Sequence, residues 1–432
     1  MVSISSWRLP RPTLESILGL CVVLTLSSGA IQVPLYAALG VPPVLGAPLM
    51  ALAGVVGLAA AVRMLPRLPM IPGVFAPLGF WFAFMVWAVL SATWSTAPDL
   101  VTGKLGLLVV SSAFLVLGIC VGFASDATDM LLKAIFAAGL VTAGAIFLFG
   151  NQDLSGFAGS DSRQALKTFE DTYQATTQCV SLAAMAALVC LLRGSQSRLG
   201  TALWGAAWFA LTIASLVGGG RGAAVGGALA QISVVIFTMV LFWRSAGSGR
   251  LVWVLLAAPV VAVILVAAGT LLEFRSIERL LSIAHALTDK TGRTELWAAA
   301  LRMADAHPLF GAGLASFEAS ANNIASSGLY PHNIFLEMLA ETGLVGFSLF
   351  AAAFTSAIAS LVRRARLLPF AHGALWLGLF VYMMFESNVS DSFTGRSISF
   401  VLGLSAGLAA RFVLAPPSAP ASVQMPARTI RA

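Results

Sequence analysis

The feature of this chain that most restricts its fold is a series of apolar segments, each long enough to cross a membrane. About 20 mostly apolar residues span the hydrocarbon core as a helix. Lipid offers no hydrogen bonds to the backbone, so a single span must be helical. The sequence therefore predicts an all-α, polytopic integral membrane protein of about 12 transmembrane helices. The candidate runs are 14–33, 43–62, 74–92, 102–123, 130–149, 174–192, 200–217, 222–243, 251–270, 340–361, 370–389 and 396–414.

Composition excludes a soluble globular domain. Only 10% of the residues are charged, whereas soluble domains carry about 25%. The four cysteines all fall inside apolar runs and show no metal-ligand spacing, which is typical of small buried side chains. The cysteines thus indicate no metal site.

The net charge of +7 first suggests nucleic acid, but the distribution of the charges favours a membrane. With the N-terminus in the cytoplasm, the cytoplasmic segments contain 15 of the 25 Lys and Arg residues and three of the 18 acidic residues. Short basic loops are retained in the cytoplasm. We therefore expect both termini to be cytoplasmic, with membrane lipids and no nucleic acid as partners.

The chain is expected to form a single membrane domain over residues 1–415, followed by a disordered cytoplasmic tail over 416–432, which is rich in Pro, Ala and Ser. A long outer loop over about 271–335 is predicted to contain short helices. In Glu295–Ala306 one face should carry Trp297, Ala300, Leu301 and Ala304. Long ordered loops in compact proteins are usually functional.

Two arginines at the outer side are candidates for binding an anion. Arg221 lies among glycines between two apolar runs, where a charge is costly unless it is paired or functional; the alternative is an arginine that reaches the lipid head groups. Arg293 precedes the expected amphipathic helix, and free N–H groups at a helix start favour phosphate. The alternative for Arg293 is a surface pair with Glu295 or Asp289.

His332 and Asn333 precede another apolar run. Asn333 is expected to cap that helix, and the positive end of the helix would favour a neutral imidazole at His332, which can accept a proton. The alternative is a histidine that only hydrogen-bonds a loop. Glu386 and Asp391, near the outer end of the eleventh span, are expected either to support the site or to pair with an arginine.

Four short stretches, at 292–297, 307–313, 331–333 and 341–346, together resemble the conserved block of the O-antigen ligase and polymerase superfamily. They read Gly-Arg-Thr-Glu-Leu-Trp, His-Pro-Leu-Phe-Gly-Ala-Gly, Pro-His-Asn and Glu-Thr-Gly-Leu-Val-Gly. The Gly-Gly-Arg-Gly around Arg221 is similar to another motif of that family.

The resemblance implies a metal-independent, inverting glycosyltransferase that needs no cofactor. It takes a glycan from undecaprenyl diphosphate at the periplasmic face of a bacterial inner membrane. A ligase passes it to lipid A–core, in lipopolysaccharide biosynthesis, and a polymerase to another lipid-linked glycan. The resemblance implies His332 as the catalytic base and Arg221 and Arg293 as diphosphate-binding residues. Arg275 and Arg279, in the long outer loop, are further candidates for binding the diphosphate.

Ligase is favoured over an O-antigen or exopolysaccharide polymerase, which stays open as the nearest alternative. A secondary transporter also has twelve spans, but it would carry charges near the middle of the membrane and repeat symmetry. A non-catalytic membrane scaffold is a further alternative, but it would not explain why an arginine, Arg221, lies among glycines at this position.

Overall fold

The structure is a computed structural model, which describes residues 13–27, 30, 43–68, 72–149, 173–193, 197–217, 220–242, 292–321, 330–389 and 392–414. Within these ranges the chain forms thirteen α-helices, short 3₁₀ turns and no strand. Seven of the helices are long and apolar enough to cross a membrane. The predicted all-α polytopic membrane fold is therefore confirmed.

The helices are numbered in chain order along the described residues. They are α1 Leu14–Leu26, α2 Pro43–Met64, α3 Pro72–Ser91, α4 Pro98–Phe123, α5 Ser125–Phe149, α6 Tyr173–Arg193, α7 Arg198–Val217, α8 Arg221–Phe242, α9 Gly292–Ala306, α10 Ser316–Ala321, α11 Ile334–Val362, α12 Phe370–Val389 and α13 Arg396–Leu414. Eleven of the twelve predicted runs each overlap one of these helices. Helices α9 and α10 overlap no predicted run. The run 251–270 and the tail 416–432 lie outside the described residues.

The long helices alternate in direction through the bundle. At one end, Lys104 near the start of α4 contacts Glu337 near the start of α11, and Asn388 near the end of α12 contacts Asn333 just before α11. We call this the Lys104 end. The alternation agrees with the order of spans predicted from the sequence.

The opposite end, called the His372 end, gathers a second polar cluster. His372 in the first turn of α12 contacts Asp129 of α5 and Arg411 of α13, and Arg193 at the end of α6 also contacts Asp129. The buried His372 ring accepts from Arg411 through Nδ1, so its Nε2–H donates to Asp129. This cluster ties four helices together where each one begins or ends.

Helices α4 and α13 pack with their backbones in close contact. Added Cβ atoms on Gly118 and Gly122 of α4 would overlap the backbone of α13, and those on Gly403 and Gly407 would overlap the backbone of α4. Small residues four apart are what permits such an approach between membrane helices. The close packing of α4 against α13 thus sets the position of Lys104 relative to the start of α13.

Helix α6 is the most enclosed of the seven candidate spans, and its residues from Ala183 to Val189 are fully buried. Large apolar side chains on the outer helices remain exposed, among them Val109 of α4 and Val240 of α8. In a membrane such side chains face lipid, and no driving force exists to bury them. The exposed apolar surface is thus what the predicted membrane fold requires.

The amphipathic helix predicted at Glu295–Ala306 is present as α9. The buried residues are Leu296 and Ala300, which pack with Phe317 and Ala340. Trp297 is 37% exposed and Leu301 is 54% exposed. The buried side of α9 packs against α11 and α10, whereas Trp297 and Leu301 of the predicted apolar face stay partly exposed.

Candidate functional site

The predicted anion-binding arginines both stand at helix starts. Arg221 is the first residue of α8 and Arg293 is the second residue of α9, so each lies beside backbone N–H groups that have no partner within their own helix. The structure describes the backbone of both residues. Arg275, Arg279 and Asp391 lie outside the described residues.

Asn333 caps α11, as the sequence predicts. Its Oδ1 accepts from the backbone N–H groups of Phe335 at 3.0 Å and Leu336 at 3.1 Å. Its Nδ2 lies 3.4 Å from Oδ1 of Asn388 on α12. Asn333 therefore both begins α11 and joins that helix to the end of α12.

His332 precedes the cap in an unusual backbone conformation. Its φ is +55°, in the left-handed region that few non-glycine residues occupy, although His, Asn and Asp enter it more often than others. The ring is partly buried, and its centre lies 4.4 Å from that of the Tyr330 ring. The left-handed turn places the His332 ring against the aromatic ring two residues earlier instead of along α11.

Backbone and side-chain contacts bring the three predicted sites to the same end of the bundle. Trp297, one turn after Arg293, donates its Nε1–H to the carbonyl of Pro331 at 2.8 Å, directly beside His332. At the start of α8, a Cβ built on Gly222 would lie 3.9 Å from Oε2 of Glu386. Thus α8 and α9 both begin near the ends of α11 and α12.

A buried ionic cluster at this end was not predicted. The Lys104 ammonium lies 2.6 Å from Glu337 Oε1 and 2.8 Å from the carboxylate of Glu341. All three side chains are at most 5% exposed. Glu337 and Glu341 are one turn apart on α11, so one ammonium bridges both carboxylates.

Each carboxylate of the cluster also accepts hydrogen bonds from a neighbouring turn. Glu337 accepts from Ser392 Oγ at 2.9 Å and from the N–H of Phe393 at 3.1 Å. Glu341 accepts from the N–H groups of Ala315 at 3.0 Å and Phe317 at 3.3 Å. Buried charges are tolerated when they are paired and hydrogen-bonded in this way. The cluster therefore joins α4, α11 and two turns.

The sequence did contain a signal for this cluster. Lys104 and Glu341 lie inside predicted spans, and ionisable residues there are functional or structural candidates by default. A count of charges by side of the membrane does not reveal these two residues, because it ignores positions within a span. In the described part of the chain, no group of three His, Cys, Asp or Glu side chains is placed to hold a metal.

Helix α11 is broken at Gly343, where the turn 307–313 docks. Gly343 has φ +65° and ψ −168°, a combination open essentially to glycine alone. The N–H groups of Ala312 and Gly313 donate to the carbonyls of Ala340 and Glu341, both at 2.9 Å. In the other direction, the N–H groups of Leu344 and Val345 donate to the carbonyls of Pro308 and Leu309.

The docked turn satisfies the backbone groups that the break releases, which is the condition for broken helices within membrane proteins. It also carries the chain into Ala315 and Phe317, whose N–H groups hold Glu341. Trp87 of α3 adds a hydrogen bond from Nε1 to the carbonyl of Thr342 at 2.9 Å. The motif residues of the turn thus have a structural role, because they position the backbone N–H groups that donate to Glu341.

A cleft of about 470 Å³ opens beside the buried cluster. It is lined by Lys104 and Glu337 and by Glu318, Tyr330, Thr394 and Arg396. Exposed apolar side chains of α4, Leu107 and Val110, form one margin. Tyr330 connects the cleft to His332, since the two rings are in contact.

The fold and the site define a polytopic helical membrane protein with a polar, cation-containing site at one end of its bundle. Residues 205–351 match the family model described as O-antigen ligase, and this match supports the O-antigen ligase and polymerase superfamily suggested by the motifs. The matched range includes Arg221, Arg293 and His332 and also both buried glutamates. No curated protein matches the chain. The family implies glycosyltransferase-type activity on lipid-linked glycans in general.

Proposed function

We propose that the protein is an O-antigen ligase, which moves a glycan from undecaprenyl diphosphate to a sugar hydroxyl of lipid A–core at the periplasmic face of the inner membrane. The observation that carries the proposal is the meeting, at one end of the bundle, of two arginine-bearing helix starts and the His332 segment. The Trp297–Pro331 hydrogen bond and the approach of Gly222 to Glu386 support it. The match to the O-antigen ligase model supports the reaction class.

Arg221 and Arg293 are proposed to bind the diphosphate. The helix starts of α8 and α9 add N–H groups and the positive ends of two helix dipoles, a combination suited to phosphate. In the transition state negative charge grows on the leaving diphosphate, so preorganised cations stabilise that state more than the bound donor. Arg275 and Arg279 are proposed as further cations for the same group.

His332 is proposed as the general base. The acceptor hydroxyl oxygen attacks the anomeric carbon while the bond from that carbon to the diphosphate oxygen breaks. The imidazole takes the hydroxyl proton, and undecaprenyl diphosphate leaves with the bonding electron pair. Attack from the face opposite the leaving group inverts the anomeric centre. A neutral imidazole has a ring nitrogen that can accept this proton.

Asn333 and Glu386 are proposed to support the site. Asn333 fixes the start of α11, so the residue before it cannot rotate freely. Glu386 lies at the end of α12 beside Gly222, where a carboxylate can hold an arginine in place.

The experiment that tests the proposal compares glycans in a deletion strain complemented with wild-type protein, His332→Ala or empty vector. Lipopolysaccharide is separated on a gel, and lipid-linked glycans are extracted from the same cells. Protein levels in the membrane are measured by immunoblot, so that loss of the enzyme is not read as loss of activity.

For a ligase, we expect bare lipid A–core in the deletion strain and in the His332→Ala strain, with long glycan accumulating on undecaprenyl diphosphate. Loss of polymer with single repeats remaining, or loss of secreted polysaccharide with intact lipopolysaccharide, would instead establish a polymerase. Unchanged pools of both glycans in the deletion strain would refute the glycosyltransferase proposal.

A further inference from the structure

We propose that the cleft lined by Tyr330, Glu337 and Thr394 binds an uncharged sugar of the acceptor, separately from the donor diphosphate. This inference rests on the proposed function, because it assigns the acceptor to a particular part of the same end of the bundle. Three properties of the described residues lead to it: the balance of charge, the chemical nature of the lining, and the position of the cleft next to His332.

The charge of the lining favours an uncharged ligand over a diphosphate. Lys104 and Arg396 contribute two positive charges, and Glu318 and Glu337 contribute two negative charges. Lys104 is already engaged by Glu337 and by the buried Glu341 behind it. A group with two or more negative charges would meet the carboxylates of Glu318 and Glu337 while Lys104 is already paired, whereas an uncharged sugar meets no net repulsion.

The nature of the lining fits a pyranose ring. Sugars present hydroxyl groups at their edges and C–H groups on their faces, and aromatic rings commonly pack against those faces. The Tyr330 ring offers such a surface together with a polar hydroxyl. Thr394 and the carboxylate of Glu318 offer donors and acceptors for sugar hydroxyl groups. The volume of about 470 Å³ accommodates one or two sugar rings.

The position of the cleft connects it to the proposed chemistry. The ring of Tyr330 contacts the ring of His332, so a sugar packed on Tyr330 has a hydroxyl near the proposed base. Leu107 and Val110 form an exposed apolar margin on α4. A glycan carried on a lipid would pass its anchored end along that margin while its sugars enter the cleft.

The test measures acceptor binding and acceptor kinetics on the full-length protein in nanodiscs. The binding probe is core oligosaccharide freed of lipid and phosphate by hydrogen fluoride treatment, followed by saturation-transfer NMR. The kinetic assay uses undecaprenyl-diphosphate-linked glycan as donor and lipid A–core as acceptor. The variants are Tyr330→Ala, Tyr330→Phe and Thr394→Val. Thr355→Val on the exposed part of α11 is the matched control, and thermal unfolding verifies the fold of each protein.

We expect Tyr330→Ala and Thr394→Val to weaken oligosaccharide binding and to raise the KM for acceptor by roughly tenfold, with the KM for donor changed less than about twofold. Tyr330→Phe should retain most binding, because it keeps the ring. Variants that raise the KM for donor, or that bind the oligosaccharide like the wild type, would overturn the inference while leaving the ligase function standing. Wild-type protein that binds the oligosaccharide but transfers no glycan would refute the proposed function and support the cleft.

Discussion

Lys104 Nζ lies 2.6 Å from Oε1 of Glu337, an ion pair between two residues that are 233 positions apart in the chain. The pair joins the start of α4 to the start of α11, and Glu341 completes it one turn further along α11. Glu341 and Glu337 in turn accept hydrogen bonds from the turns at 315–317 and 392–393. We therefore interpret the cluster as the element that fixes the geometry of the Lys104 end.

The first prediction concerns removal of the ammonium. Lys104→Met leaves two buried carboxylates without a counter-charge, and breaking a buried pair in this way costs about 3–5 kcal/mol. We expect a large fall in the thermal unfolding midpoint of the purified protein. Lys133→Met, at an exposed lysine of α5, should change stability by less than about 0.5 kcal/mol. A triple variant with Lys104→Met, Glu337→Gln and Glu341→Gln should be more stable than Lys104→Met alone.

The second prediction concerns the break in α11. In Gly343→Ala the new methyl group would overlap the backbone of Leu309, at a φ of +65° that alanine avoids. We expect destabilisation well above the 1–3 kcal/mol typical of backbone strain alone. Gly103→Ala is the matched control, because a Cβ there meets no atom within 4 Å; it should be neutral or slightly stabilising, since alanine suits a helix interior better than glycine. Equal behaviour of the two variants in thermal unfolding would show that the break at Gly343 is not required.

The third prediction concerns the close pair of helices. Gly407→Leu should force α13 away from Ile119 of α4, and we expect low yield of folded protein or an unfolding midpoint reduced by several degrees. Gly205→Leu on α7, where an added Cβ meets no atom within 4 Å, should be tolerated. Folded protein is quantified by size-exclusion chromatography in detergent. Normal yield and stability for Gly407→Leu would contradict the close approach.

The fourth prediction separates structure from chemistry at the His372 end. His372→Ala removes a buried ring that bridges Asp129 and Arg411, so we expect a loss of about 1–3 kcal/mol of stability. The proposed reaction takes place at the other end of the bundle, so glycan transfer per folded molecule should remain within about twofold of wild type. A selective loss of transfer with unchanged stability would place functional chemistry at the His372 end.

Much of this fold could be predicted from the sequence, because length and hydropathy identify membrane helices. The order of the spans follows from the apolar runs, and the cap at Asn333 follows from a local rule about helix starts. The pairing of Lys104 with two glutamates could not be predicted, because no local rule brings residues 233 positions apart into contact. The docking of the 307–313 turn on Gly343 could not be predicted either, although both segments belong to recognisable motifs. The buried side of α9 could not be predicted from its periodicity, because packing on the neighbouring α10 and α11 decides it.

The measurement that tests the central claim most directly is transfer of glycan from undecaprenyl diphosphate to lipid A–core by purified protein, comparing wild type, His332→Ala and His307→Ala. His307 is the matched control, since it is exposed and lies in the docked turn. We predict that His332→Ala lowers kcat by about 10²–10⁴-fold, the range for loss of a general base, while His307→Ala stays within a few-fold and all three proteins unfold at similar temperatures. Transfer by His332→Ala at the wild-type rate would contradict the assignment of His332 as the base.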